Sequence, residues 1–224
     1  MIKAIAIDLD DTLLDTSGIL APQATREAFS CLIENGLKLS LAQCEAMRIE
    51  LIKSISHRDV FEKLAHEYGT DQTRASAKKV IDLFYSPIFP DTLPLLEGAR
   101  QNLDYLKRKY SLYLVTAGTE ISQLRKAKAL GIYGDFKKIF VVNSLIKKRK
   151  KDAFLEILQL ESIKPDELLC IGNSISSEMT DAMSINAITC YFEFGEDRGQ
   201  LSDLPHPPDF RIHNHAELIK TCRL

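Results

Sequence analysis

Hydrophobic positions along the chain follow two rhythms. Nearly continuous aliphatic runs occur at "IKAIAI" near the N-terminus, "SLYLVTAG" (111–118), "KIFVVNS" (138–144), "LLCIGNS" (168–174) and "ITCYFEFG" (188–195). This is the pattern of strands covered on both faces in a parallel sheet, and "FRIH" (210–213) is a sixth, weaker candidate. The second rhythm is helical. "GARQNLDYLKRKY" sets Leu103, Leu106 and Tyr110 on one face, and "DAFLEILQLESI" does the same with Phe154, Ile157 and Leu158, the stripe being interrupted by Glu161. Strand and helix alternating in this way predict an α/β fold, a doubly wound parallel sheet with right-handed crossovers.

One connection is too long for that plan. From the end of the first strand near Asp10 to the second near Ser111 is a gap of about 100 residues, where a crossover needs about a dozen or somewhat more. The intervening segments "PQATREAFSCLIENG", "LAQCEAMRIELIKSIS", "HRDVFEKLAHEYG" and "QTRASAKKVIDLFY" read as successive helices punctuated by Gly36 and Gly69, with Pro87, Pro90 and Pro94 returning the chain to the sheet. Residues 1–18 with 92–224 are therefore expected to form the α/β core, and residues 19–91 an inserted helical cap.

Composition narrows the function. The chain has 224 residues, 45% hydrophobic and 27% charged, with a formal net charge of -2. That balance offers no general attraction to nucleic acid or acidic membranes. No run approaches the roughly 20 apolar residues of a membrane span, and "MIKAIAIDLDD" meets acid too early for a signal peptide, so a cytoplasmic location is expected. Cys31, Cys44, Cys170, Cys190 and Cys222 are scattered, odd in number and without a CxxC pair, which predicts reduced, packed thiols. His57, His66, His206, His213 and His215 lack metal-ligand spacing beyond an isolated H-x-H and are read as surface or packing residues.

Ligands of open α/β sheets bind beyond the carboxyl ends of the strands, so the residues found there matter most. The first strand delivers Asp8, Asp10 and Asp11 in "DLDDT". Crowded carboxylates are costly to bury without a cation. Alternation along an extended strand places Asp8 and Asp10 on the same side, roughly 7 Å apart, where hard oxygens suit magnesium. The second strand delivers Thr116 with Ala117 and Gly118, a hydroxyl beside backbone amides able to bond anionic oxygens. The fourth ends in "IGNSISSE", bringing Asn173 and Glu178, preceded by the basic run "IKKRKKDAF".

These motifs, in this order, resemble the haloacid dehalogenase superfamily of aspartate-nucleophile hydrolases over nearly the whole chain. D-x-D-x-T is Asp8-Leu9-Asp10-Asp11-Thr12, the strand-end Thr is Thr116, the lysine ahead of a helix is Lys150 or its neighbours Lys148 and Lys151, and the G-D-S-plus-acid motif is Gly172-Asn173-Ser174 with Glu178. Asn173 stands where an aspartate is usual and Glu178 replaces a second aspartate. The resemblance implies that Asp8 attacks phosphorus and forms an aspartyl-phosphate, while Asp10 serves as acid and then base. It implies further that Thr116 and Lys150 hold phosphate oxygens and that Leu9, Ala117 and Gly118 are phosphate-binding positions. Magnesium would be held by Asp8, the main-chain carbonyl of Asp10, Asn173 and Glu178.

The resulting expectation is a magnesium-dependent phosphatase of small phosphorylated metabolites, monomeric or homodimeric, with no nucleic-acid or membrane partner. Two alternatives share the fold: a metal-free 2-haloacid dehalogenase, against which Asp10 speaks, and a weak or non-catalytic binding protein, motivated by Asn173. A dinucleotide-binding oxidoreductase is disfavoured because no G-x-G-x-x-G follows the first strand. In the helical segment Arg48, Lys53 and Arg58 either contact substrate or face water.

Overall fold

The aliphatic runs do form one parallel sheet. The computed structural model describes residues 1–143, 149–196 and 198–224; Ser144, Lys147 and Lys148 of the predicted third strand and basic run lie outside them. The strands are β1 (Ala4–Ile7), β2 (Ser111–Ala117), β3 (Lys138–Val142), β4 (Leu168–Gly172), β5 (Ile188–Phe192) and β6 (Phe210–Ile212). Their spatial order is β3-β2-β1-β4-β5-β6, every neighbouring pair being parallel.

Successive crossovers run outward from β1 in opposite directions, so the sheet's switch point lies between β1 and β4, where a crevice opens at the carboxyl ends. Both faces of β1 are covered. Ile5 and Ile7 join Leu112, Leu114, Leu169 and Ile171 in one core, while Ala4 and Ala6 join Tyr113, Val115 and Cys170 in another. The first core is closed by α6 (Ala99–Leu106), α7 (Glu120–Ala129) and α10 (His215–Thr221). The second is closed by α8 (Lys150–Glu161) and α9 (Thr180–Met183). Burial on both sides explains why these strands carry no polar alternation.

Between β1 and α6 the chain builds α1 (Thr16–Ile19), α2 (Ala21–Glu34), α3 (Leu41–Leu51), α4 (His57–Tyr68) and α5 (Asp71–Tyr85). Ser40, Ser56 and Thr70 cap α3, α4 and α5 by accepting bonds from backbone amides in the first turn, which fixes where each helix begins. These helices enclose their own core, with Phe29, Leu32, Phe61, Leu64 and Val80 fully buried and the Phe29 and Phe61 rings 5.2 Å apart.

Two features depart from the sequence reading. The fourth and fifth strands stop at Gly172 and Phe192, short of the predicted limits: beyond β4, Asn173 and Ser174 turn into the crevice, and beyond β5, Glu193 pairs with Arg211 and Phe194 packs on the core. Helix α7 was not expected: its inward face carries Ser122, Gln123 and Lys126 as well as alanines, which breaks the apolar stripe that marks an amphipathic helix. The cysteines are free thiols, and all but Cys31 are buried.

Candidate active site

The chain turns sharply as it leaves β1. The Asp8 amide still donates to the Ile171 carbonyl at 2.9 Å, but the Leu9 carbonyl accepts from Leu13 and Leu14 at 2.9 and 3.1 Å, and the Asp11 amide donates to Leu14 at 2.7 Å. Asp11 takes a left-handed φ of 54°, a conformation aspartate tolerates better than most residues. Gly195, at φ +75°, packs so closely on this turn that a Cβ would lie 2.4 Å from Asp11 Cγ. The regular strand thus ends at Ile7. Asp8 and Asp10 nevertheless line one cavity, each held by a different lysine.

Asp8 and Glu178 share Lys150. The Lys150 ammonium donates to Asp8 Oδ1 at 2.5 Å and to Glu178 Oε1, all three side chains being buried. Lys150 is the first residue of α8, so the sheet's first and fourth strands and the helix before β4 meet at this one group. Burial pushes the Asp8 carboxyl up to about 7; Lys150 opposes this, while Glu178 and Asp10 add to it. Of the alternative lysines, Lys148 lies outside the described residues and Lys151 gives its amide to Asp181 at 3.1 Å.

Asp10 occupies a separate nest of donors. Thr16 Oγ1 and Lys126 Nζ each donate to its Oδ1 at 2.6 Å, and Gln123 Nε2 donates to its Oδ2 at 2.8 Å. Burial would raise this carboxyl, but Lys126, Thr16 and Gln123 outweigh it and hold it down at about 2. The Gln123 amide also reaches Thr116 Oγ1 at 2.5 Å and the Ala117 carbonyl at 3.0 Å, so it couples the threonine of β2 to Asp10. Gln123 and Lys126 were missed in the sequence. Their only signal was polar residues spaced i, i+3 along a helix directly after Thr116.

Other expected positions need correction. The Gly118 amide is spent on the Val142 carbonyl at 3.0 Å, so it is not the anticipated phosphate donor. The Leu9 side chain is fully buried in the sheet-face core and its carbonyl closes the turn, so its main-chain amide is the group that could serve phosphate. Arg48 is buried and binds Glu196 of the loop after β5 at 2.6 Å and Glu45 at 2.5 Å, so it neither faces water nor lies free for substrate. Lys53 and Arg58 pair with Glu50 and Glu62 on the outer helical surface. His57 is more than packing: it stacks on Phe84, accepts from Arg48, and borders the cavity.

Asn173 has a physical reason to be an amide. Its Nδ2 donates to the Phe194 carbonyl at 3.2 Å, a bond an aspartate cannot make, and its carbonyl oxygen remains as a metal ligand. Glu178 sits in a π-helical turn (Ile175–Met179) and accepts from the Ser174 amide at 2.9 Å. Its side chain passes so close to Gly172 that a Cβ there would lie 2.5 Å from Glu178 Cγ.

These groups floor a cavity of about 320 Å³ whose opposite wall is built by the inserted helices, including Ile52, Ser56, His57 and Tyr85. Among the described residues no three His, Cys, Asp or Glu side chains gather into a metal cage. Two buried carboxylates, an amide oxygen and main-chain carbonyls nevertheless suit magnesium, which keeps several waters and takes few carboxylates. The Asp10 carboxylate is committed to Lys126 and Gln123, leaving that residue its carbonyl for such a role.

A family model for haloacid dehalogenase-like hydrolases matches residues 2–179. The chain belongs to this family. It is a hydrolase, and the fold follows its relatives along their length. It is 28% identical over 239 residues to the glyceraldehyde 3-phosphate phosphatase of Methanopyrus kandleri, covering 100% of this chain and 98% of that one. A protein of the same description from Pyrococcus furiosus is 28% identical over 203 residues, covering 87% and 82%. The crystal structure of the HAD-hydrolase YfnB from Bacillus subtilis bound to magnesium superposes with a TM-score of 0.66 at 20% identity, covering 98% and 97%. Within this haloacid dehalogenase-like chain, among the described residues no helix is long and apolar enough to cross a membrane.

Proposed function

We propose that the chain is a magnesium-dependent phosphomonoester hydrolase that acts on a small phosphorylated metabolite through an aspartyl-phosphate on Asp8. The carrying observation is the convergence of Asp8, Lys150 and Glu178, distant in sequence, on one buried point of a cavity. Lys150 grips Asp8 Oδ1, which leaves Oδ2 to attack phosphorus. The Asp8 Oδ2–P bond forms as the ester P–O bond breaks, and the leaving alkoxide takes a proton. Lys150 and the Thr116 hydroxyl hold the phosphoryl oxygens, which is positioning and electrostatic work.

In the second half-reaction a water attacks phosphorus, phosphate departs, and Asp8 is restored. Asp10, left as a carboxylate once it has protonated the alkoxide, takes the proton from this water, and it is a competent base only when loosened from the donors that hold it at about 2. For it to protonate the alkoxide in the first half, it must loosen from Lys126. Asp8, the Asp10 carbonyl, Asn173 and Glu178 would hold magnesium, which neutralises crowded carboxylate and phosphate charge when bound. The phosphatase description of the curated relatives supports this reading and favours three-carbon phosphoesters such as glyceraldehyde 3-phosphate.

Phosphate release from p-nitrophenyl phosphate and glyceraldehyde 3-phosphate, with magnesium and then with chelator, is the test. Magnesium-dependent release that Asp8→Asn abolishes is expected. Release undiminished in the Asp8→Asn variant overturns the assignment of the nucleophile.

A further inference from the structure

Among the described residues that line the cavity, the catalytic account uses the acids and lysines but gives no role to one cation. Arg198, in the loop after β5, lines the cavity together with Asp8, Lys150 and the helical residues His57 and Tyr85. Its Nε is buried and makes no hydrogen bond among the described residues. A buried donor left without a partner is costly, so it calls for a ligand.

The acids around Arg198 keep it charged without satisfying it. Its charge acts on Asp11, Glu196, Asp10 and Glu178 on the core side and on His57 and Tyr85 across the cavity. Asp11 is already spent on Ser17, accepting from its amide at 2.8 Å and from its hydroxyl. Glu196 accepts from Arg48 at 2.6 Å through Oε1, while its buried Oε2 makes no hydrogen bond among the described residues, to Arg198 or to any other donor. Asp10 and Glu178 are held by Lys126 and Lys150. The guanidinium thus lies at the cavity between the sheet edge and the inserted helices, with its Nε unpartnered among the described residues.

We propose that Arg198 is a specificity-determining residue that binds an acceptor oxygen on the substrate's carbon chain, at the end remote from the phosphate. The inference rests on the phosphatase reading and deepens it: the substrate class is a short phosphomonoester bearing a carbonyl or carboxylate, rather than a plain alkyl phosphate. Lys150 and Thr116 serve the phosphoryl oxygens, and Arg198 supplies planar, paired N–H groups that fit a carbonyl or carboxylate oxygen. Among the described residues, the wall opposite, with Ile52 and Tyr85, carries no lysine or arginine. A site built to hydrogen-bond such a group discriminates strongly against a substrate lacking it, because its own polar atoms are then left unpaired.

The test compares kcat/KM for glyceraldehyde 3-phosphate, 3-phosphoglycerate and n-propyl phosphate in the native enzyme, Arg198→Gln and Arg198→Lys. These esters share three carbons and differ at the far end: carbonyl, carboxylate, or neither. The ratio of the better oxygen-bearing ester to n-propyl phosphate is expected to fall about tenfold or more in Arg198→Gln, chiefly through KM. Arg198→Lys, which keeps the charge, is expected to recover part of it. Whether the carbonyl or the carboxylate ester suffers more identifies the oxygen bound. A ratio that stays within about twofold in both variants overturns the role of Arg198 while leaving the phosphatase intact. No phosphate release by the native enzyme from any ester overturns both.

Discussion

Glu196 offers a quantitative test of how the helical insertion is tied to the sheet. It lies in the loop after β5, 15% exposed, and its Oε1 accepts from Arg48 of α3 at 2.6 Å. Burial would raise its carboxyl, but His57 and Arg48 prevail and bring it from 4.5 to about 2. At about 1.4 kcal/mol per pH unit that displacement amounts to about 3 kcal/mol of native-state stabilisation. Glu196→Gln keeps the shape and one acceptor for Arg48, so the expected loss is about 2 kcal/mol. Because the native value is depressed, this contribution is fully present above 4.5 and disappears as the pH falls toward 2. Urea denaturation of the native protein, Glu196→Gln, Arg48→Met and the double variant yields the coupling energy directly. It should reach about 1.5 kcal/mol or more near neutral pH and shrink near about pH 3.5. A coupling below about 0.5 kcal/mol at neutral pH would refute the claim that this contact fastens insertion to sheet.

Other residues carry sharper chemical expectations. Asp8→Asn should lose at least about a thousandfold in kcat while keeping its circular dichroism spectrum, since the amide keeps the shape but is no nucleophile; near-native turnover would exclude it. Lys150→Met leaves the buried Asp8 and Glu178 carboxylates unpaired and should cost about 3–5 kcal/mol in chelator, partly recovered on adding magnesium; an unaltered melting temperature contradicts the shared ammonium. His57 is driven below its ordinary 6.5 by burial and by the charges of Arg198 and Arg48, against Glu196. The unfolded chain therefore binds its proton first, and stability is lost as pH falls below about 6.5. In His57→Gln the melting temperature should depend less on pH just below that value, and an identical slope would remove His57 from the account.

The family motifs were legible because chemistry fixes residue type and order at strand ends. "DLDDT", Thr116 and "IGNS" follow aliphatic runs, and the helices of the insertion announce themselves through Ser40, Ser56 and Thr70 and their apolar stripes. Gln123, Lys126, Arg198 and Glu196 were not legible. Each is an ordinary polar residue of a helix or loop until the sheet brings it beside Asp10, Asp11 or Arg48. The choice of Lys150 among neighbouring lysines was open for the same reason, since only the entry angle of α8 aims one ammonium at Asp8.

By itself, the order of residues determined that this chain makes a parallel sheet interrupted by helices and carries its nucleophile candidate at the end of β1, because periodicity and burial act locally. Tertiary structure alone decided how the charges are divided. Lys150 goes to Asp8 and Glu178, Lys126 goes to Asp10, and Arg198 Nε is left without a hydrogen-bond partner among the described residues. The reason is that electrostatic partnership depends on distance through space across buried ground, which spacing along the chain does not encode.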